Sequence, residues 1–286
     1  MLNLYSISVK NEYSESSLTQ GELLSVVYHD IFDYPLDFAD LIKWKAADEK
    51  TKIDKSVTVR NGYVYLSGRD GLVYKKLLRN RISQKKLEIA NKVAKILSFV
   101  PTIKMVALTG SLAMNNSTEH SDIDFLIVTK SNTLWTTRLF SILLLKFVGV
   151  KIRSPYDKEQ RDKICLNMWL DEDKLAWEYE KSLYTAHEIA QVRPLYSKNK
   201  TYEFFLSKNK WILNFWPNSV KVKDQKFFKK NKTIKIGRIF NRIEKLMFNI
   251  QYRYMKNKIT NEKVKRKIAL FHPQDWGEII LKRLSS

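Results

Sequence analysis

Between Leu108 and Val128 the chain reads LTGSLAMNNSTEHSDIDFLIV, and this stretch leaves it few folds to choose from. An apolar run, Met105 to Leu108, leads through Thr109 into Gly110-Ser111. After ten intervening residues a second run opens on two acids one residue apart, Asp122-Ile123-Asp124-Phe125. In a strand, residues i and i+2 share a face. Asp122 and Asp124 therefore project together, while Ile123 and Phe125 turn into a core. Two carboxylates this close repel each other unless a cation lies between them, and carboxylate oxygens with room left for phosphate suit Mg²⁺. The Gly-Ser turn precedes a predicted helix from Leu112 onward. Its backbone N–H groups and the helix N-terminus offer phosphate a seat. The two halves together point to metal-dependent phosphoryl or nucleotidyl transfer.

The rest of the composition bounds that inference. A chain of 286 residues has room for two or three modest domains, and 44% hydrophobic with 12% aromatic residues excludes a disordered chain. The single cysteine, Cys165, excludes an internal disulfide framework and fits a reducing cytoplasm. No N-terminal apolar segment reads as a secretory signal. The longest apolar run, Leu139 to Val150, contains Lys146 and is too short to span a bilayer, so no membrane partner is expected and a buried helix is. Net charge is +21; the segment from Lys221 to Ser286, with 19 basic and 5 acidic residues, carries +14 of it. Such a field favours a polyanionic partner, nucleic acid above all. A solvated lysine-rich surface accounts for the same numbers.

In chain order, residues 1–17 read as a loose tail. Leu18 to Phe32 reads as a helix capped by Thr19 and broken at Asp33-Tyr34-Pro35; Leu36 to Ala46 reads as a second, short helix. Val57 to Leu66 alternates around Asn61-Gly62, a hairpin signal. Two helices, a hairpin and a long helix from about Leu72 to Phe99 are the order of a winged-helix domain over 18–99. Asp37 and Asp40 against Lys43 and Lys45 do not make the second helix an obvious DNA reader, which favours a packing role. A core over 100–196 follows, with helix Thr133–Val148, a strand at Ile164–Leu170 and a helix over Glu178–Val192 stopped by Pro194. The remainder, 197–286, reads as a basic helical region. Its helices are Tyr202–Phe215, Ile234–Met255 with an apolar side of Ile239, Phe240, Ile243, Leu246, Met247 and Ile250, and Lys263–Leu284 interrupted at His272-Pro273. The class is α+β, with a small mixed sheet and flanking helices.

Gly110-Ser111, the ten-residue spacing and Asp122-Ile123-Asp124-Phe125 between apolar strands resemble the signature of the DNA polymerase β-like nucleotidyltransferase superfamily. The resemblance covers roughly Val100 to Leu170. It implies that Asp122 and Asp124 are catalytic and hold Mg²⁺ or Mn²⁺, that Gly110 and Ser111 bind the phosphates of an NTP such as ATP, and that an NMP passes to an acceptor hydroxyl with release of pyrophosphate. Members of that superfamily usually bring a third acid from a following strand, as metal ligand or general base. Here Asn167 occupies the expected position, and an amide cannot take a proton. Either the base lies elsewhere, at Asp171, Glu172, Asp173 or Glu188, or turnover is weak or lost.

A second polar constellation sits in Leu183 to Tyr196. On a helix Tyr184, His187, Glu188 and Gln191 fall on one face. With Asn167, His187 and Glu188 are candidates for an acceptor or base pocket; a helix face merely meeting water is the alternative. Lys130 and Arg138 are candidate phosphate partners or surface charges, and Cys165 reads as core. Four histidines and one cysteine without paired spacing match no zinc pattern. Three functions remain open. One is a cytoplasmic metal-dependent nucleotidyltransferase. The second is a catalytically weakened relative binding nucleic acid or nucleotide through the basic C-terminal region. The third is an enzyme acting on a small molecule or protein side chain. The acceptor class, whether nucleic acid, protein or small molecule, depends on pocket shape.

Overall fold

The computed structural model describes residues 18–48, 50–154, 157–222, 238–260, 262–271 and 276–284. The expected tail over 1–17, the start of the expected helix at 234–237 and the break at His272-Pro273 lie outside them.

Thr19 and Glu22 cap each other's backbone N–H groups and start α1 (Gln20–Asp30). Asp33, in the left-handed region at φ 52°, turns the chain out of it. β1 (Leu36–Asp37) and α2 (Phe38–Lys43) follow, and the Asp37 side chain accepts from Asp40 N at 2.8 Å to cap α2. β2 (Val57–Arg60) and β3 (Tyr63–Leu66) form the expected hairpin, with Asn61 and Gly62 both at positive φ as a two-residue turn requires. β1 adds to β3, giving a three-stranded antiparallel sheet in the order β1-β3-β2.

α3 (Gly71–Ser98) runs from this small sheet to the main one, where its second half buries Ala90, Val93, Ala94 and Leu97. The main sheet comprises β4 (Ile103–Leu108), β5 (Ile123–Thr129), β6 (Ile164–Asp171), β7 (Arg193–Ser197), β8 (Lys263–Lys265) and β9 (Ile268–Leu270), in the order β7-β4-β5-β6-β9-β8. Only β5 and β6 run parallel. Between strands lie α4 (Gly110–Ala113), α5 (Leu134–Phe147), α6 (Leu183–Ala190), α7 (Thr201–Lys208) and α8 (Arg238–Met255), and α9 (Trp276–Leu284) follows β9.

β5 decides which face carries the chemistry. Ile123, Phe125 and Ile127 bury against α3 and α5, while Leu126 and Val128 face a second core built with α1, α2, α6 and α7. Each such apolar side chain stabilises by roughly 1.5–3 kcal/mol when buried. A one-residue slip would exchange them for Asp122 and Asp124. The acids are thereby held on the face toward α1 and α6.

Several expectations change in the structure. Pro194 does not merely stop a helix; it lies in β7 at the edge of the sheet, where a missing N–H is tolerated. The second half of the interrupted helix expected over 263–284 is α9, but in place of its first half β8 and β9 form a hairpin whose Ile268–Leu270 pairs with Leu170–Met168 and covers the edge of β6. The helix expected over 202–215 ends at Lys208 and tightens into a 3₁₀ turn at Lys210–Asn214. On α8, Ile239, Phe240, Ile243, Leu246 and Ile250 are exposed. The helix instead turns Glu244 and Gln251 inward, and the Glu244 carboxylate accepts the N–H groups of Trp135 and Thr136 at the start of α5. Among the described residues no helix is long and apolar enough to cross a membrane.

Candidate active site

Chain reversal at the end of β4 brings Gly110 against Asp124. Gly110 has φ +61°, and a Cβ placed on it would stand 2.6 Å from Asp124 Oδ2. Conformation and space both demand glycine. Asp124 O accepts from Thr109 N at 3.1 Å, which ties the turn to the strand. Ser111 is the second residue of the four-residue α4; its hydroxyl lies 3.2 Å from that of Ser117, and its carbonyl accepts from Asn116 N. Lys86 from α3 donates to Ser121 O at 2.7 Å and pairs with Asp162, fastening the loop that delivers Asp122.

Asp122 Oδ2 accepts from Arg153 Nη1 at 2.6 Å. Asp124 Oδ1 accepts from Asn167 Nδ2 at 2.8 Å, and the Cys165 sulfur lies within 4.8 Å of the same carboxylate. Parallel pairing sets Cys165 beside Asp124. One extra residue on β6 before Met168 then bulges the strand. Cys165 shares the acid face through that pairing and Asn167 through its i, i+2 spacing, while the bulge brings Met168 to the same side. Desolvation, and then the charge of Asp122, push the Asp124 carboxyl up to about 7.

The opposite wall is α6. Tyr184, His187, Glu188 and Gln191 all line one cleft of about 700 Å³ with Gly110, Ser111, both acids, Arg153, Cys165 and Asn167. Glu188 is pushed up to about 7 by desolvation and then by the charge of Asp124; Gln191 Nε2 donates to its Oε1 at 2.6 Å. His187 is buried deeper, with its ring 4.2 Å from that of Trp44. His29 Nδ1 donates to Ser25 O at 2.8 Å, so His29 Nε2 accepts from His187 Nε2–H at 3.2 Å. Desolvation lowers both imidazoles, His29 to about 4.

The structure thus brings together Gly110, Ser111, Asp122, Asp124, Asn167, His187 and Glu188. It separates off the other candidates. Asp171 ends β6 opposite Thr129, roughly 13 Å along the strand from Asn167. Its carboxylate accepts from Asn132 N and Asp173 N, Glu172 accepts from Ser131 N, and Asp173 pairs with Lys267. These acids fasten turns at the far end of the sheet. Arg138 is neither surface nor cleft: it packs 4.8 Å over the Phe271 ring and donates to Gln251. Lys130 follows β5 at its far end and does not line the cleft.

Sequence reasoning missed three contributors. Cys165 lines the cleft rather than the core. Arg153 reaches the acids because Ile152 bridges to Ile164, and an isolated arginine after a helix carries no spacing signal. Ile31, Phe32 and Tyr34 close the cleft from the N-terminal segment. Arg79 holds that loop in place by donating to Phe32 O and to Asn116 Oδ1.

No curated protein matches this sequence. The model of the nucleotidyltransferase domain family matches residues 90–236, just over half of the chain, from the second half of α3 past α7. That span includes the glycine turn, both acids, Arg153, Cys165, Asn167 and the polar face of α6, and the chain belongs to the nucleotidyltransferase domain family.

Proposed function

We propose that this protein transfers an NMP from an NTP to an acceptor hydroxyl and releases pyrophosphate. The observation that carries the reading is the abutment of Gly110 on Asp124, which sets a phosphate-sized turn directly beside the paired acids. The donor set suits a divalent metal: two carboxylates share one face, and Asn167, whose Nδ2 donates to Asp124, leaves its buried Oδ1 without a partner. Asp122 and Asp124 would hold a divalent cation, with Mg²⁺ or Mn²⁺ the ions that suit their oxygens alone. Bound there, the metal supplies charge neutralisation on the triphosphate and a lowered barrier to deprotonating the acceptor.

The chain's own groups supply the rest. Backbone N–H groups at Gly110 and Ser111 bind the β or γ phosphate. Arg153 is placed to meet phosphate once Asp122 no longer requires it. Glu188, poised near 7, takes the acceptor proton, the role that Asn167 cannot fill. The acceptor oxygen bonds to the α phosphorus as the bond to the bridging oxygen of pyrophosphate breaks. The neutral His29–His187 pair holds α6, and with it Glu188, against α1.

The N-terminal segment is a winged-helix-like module used for packing. Asp37 caps α2, and Asp40 is engaged with Tyr34 and Lys76, so α2 is committed inward. The excess of +14 over residues 221–286 favours a polyanionic acceptor. The test is incubation with each α-labelled NTP, Mg²⁺ or Mn²⁺ and cell extract, split into RNA, protein and small-molecule fractions. Label is expected in one fraction. Asp122→Asn or Asp124→Asn lowers it more than about 100-fold, since even an outer partner of a metal ligand is worth about 10–100-fold. Undiminished labelling by the double variant refutes the proposal.

A further inference from the structure

One donor among the cleft's acids differs in kind from the others. The Cys165 sulfur and carboxylate oxygens of Asp122 and Asp124 all lie within 4.8 Å of one another. Oxygen stands about 2.1 Å and sulfur about 2.3 Å from a bound divalent ion, so at the tetrahedral angle they lie about 3.6 Å apart. Small side-chain rotations close the difference. The spacing is invisible in the sequence because the thiol reaches the acids through the pairing of β5 with β6.

Two further observations mark this spot as a place for a cation. The guanidinium of Arg153 already lies there, with Nη1 2.6 Å from Asp122 Oδ2 and 3.7 Å from Cys165 Sγ. Asn167, only 6% exposed, gives its Nδ2 to Asp124 while its Oδ1 is left without a partner. Turning the amide over exchanges its oxygen and nitrogen. The oxygen then faces the acids, an arrangement that suits a cation and would repel bare carboxylates.

We infer that Asp122, Asp124, Cys165 and the Asn167 amide oxygen form a mixed oxygen–sulfur site that takes a thiophilic divalent cation of the zinc or cobalt type in preference to Mg²⁺. The inference rests on the metal-dependent reading above and deepens it. Oxygen donors alone suit Mg²⁺ or Mn²⁺, whereas a thiolate selects softer ions. On binding, the cation–sulfur bond forms as the S–H bond breaks, and the thiol proton passes to solvent. The cation displaces Arg153 from Asp122.

The experiment is a Co²⁺ titration of the full chain followed by absorption. A thiolate-to-cobalt charge-transfer band in the near ultraviolet is expected, and with a single cysteine in the chain it can arise only from Cys165. Cys165→Ser and Cys165→Ala lose the band, with thermal unfolding as the check that they fold. Zn²⁺ affinity in these variants falls at least about tenfold while Mg²⁺ affinity holds. Asp122→Asn keeps the band and weakens Co²⁺ binding. Cobalt bound without a charge-transfer band, or displaced by equimolar Mg²⁺, overturns the mixed site and leaves the transferase reading standing. A band whose Co²⁺ dependence is unaltered by Asp122→Asn and Asp124→Asn shows an adventitious thiol complex and likewise overturns it. Failure of the wild-type chain to bind Co²⁺, Zn²⁺ or Mg²⁺ overturns both.

Discussion

Gly110→Ala tests the coupling between the Gly110-Ser111 turn and the acid pair, and Gly62→Ala is its built-in control. Both glycines lie in the left-handed region, at φ +61° and +78°. An alanine pays about 1–2 kcal/mol for that conformation. At Gly62 nothing lies within 4 Å of the added methyl, so the backbone term is the whole effect. At Gly110 the methyl would stand 2.6 Å from Asp124 Oδ2, well inside contact. Asp124 cannot simply swing away: Asn167 holds one oxygen, and Thr109 N holds its carbonyl. Overpacking of this kind adds about 1–3 kcal/mol. Gly110→Ala should therefore lose roughly 2–5 kcal/mol against 1–2 for Gly62→Ala. At about 2–4 °C per kcal/mol, that is a Tm difference of several degrees between the variants. Activity separates them further. On the proposed function, a shift of the Asp124 carboxylate by a fraction of an ångström should lower label transfer by on the order of 100-fold, while Gly62→Ala, outside the cleft, should leave it intact. Equal Tm values and equal labelling for the two variants would refute the argument that Gly110 exists to let the turn touch Asp124.

Asp124→Asn removes a carboxyl whose pKa is raised to about 7 in the fold. Between its ordinary range and about 7 the folded metal-free chain holds a proton that the unfolded chain has released, so this group's contribution to stability falls as pH rises through that window. The variant's Tm–pH curve should be flatter from pH 4 to 7, and an identical slope counts against the shift. Glu188→Gln should lower kcat by about 10²–10⁴-fold with NTP binding retained, and should abolish the acid limb of the pH–rate profile; an unchanged limb removes Glu188 as base. The His29–His187 pair acts in the opposite sense. Its imidazoles are lowered, His29 to about 4, so the unfolded chain gains protons first and stability drops as pH falls from about 6.5 toward 4. His29→Phe should flatten that acid fall in thermal unfolding, and an unaltered fall would place its origin elsewhere.

What was legible in the sequence is what is local. Thr19 and Glu22, Asn61-Gly62, and the alternation from Asp122 through Ile127 each carry their instruction within a few residues, and each forms as expected. So does the polar face of α6, because helical spacing alone aligns Tyr184, His187, Glu188 and Gln191. Short strands failed. β8 and β9 have three residues each, too few for an alternation to register, and they exist because β6 offers an edge at Met168–Leu170. The apolar stripe of α8 forms at its helical spacing, with Met247 packed on the core and the rest of it exposed. Burying Glu244 satisfies two N–H groups at the start of α5, and that capping determines which way the helix faces.

The third group beside the acids shows where a one-dimensional pattern stops. Family resemblance put a residue type, an acid, at Asn167, and the strand delivers Asn167 to that place, donating to Asp124. What the pattern could not contain is the parallel pairing that sets Cys165 beside Asp124, or the bridge at Ile152 that swings Arg153 onto Asp122. Those three side chains come from positions 153, 165 and 167, and they meet two acids drawn from a different strand. Asp122 and Asp124 are then never bare: one is paired with a guanidinium, and the other accepts from an amide. Each of those partners can be displaced or turned over by a stronger cation, which makes the cleft a site held ready by its own side chains. Arg153→Met tests that step of the argument. Removing the resident cation should raise divalent affinity at Asp122 by calorimetry, because the ion no longer competes with the guanidinium, and should lower apo stability, because the paired carboxylates lose a neutralising charge. An affinity that falls along with stability would mean that Arg153 builds the site rather than guards it.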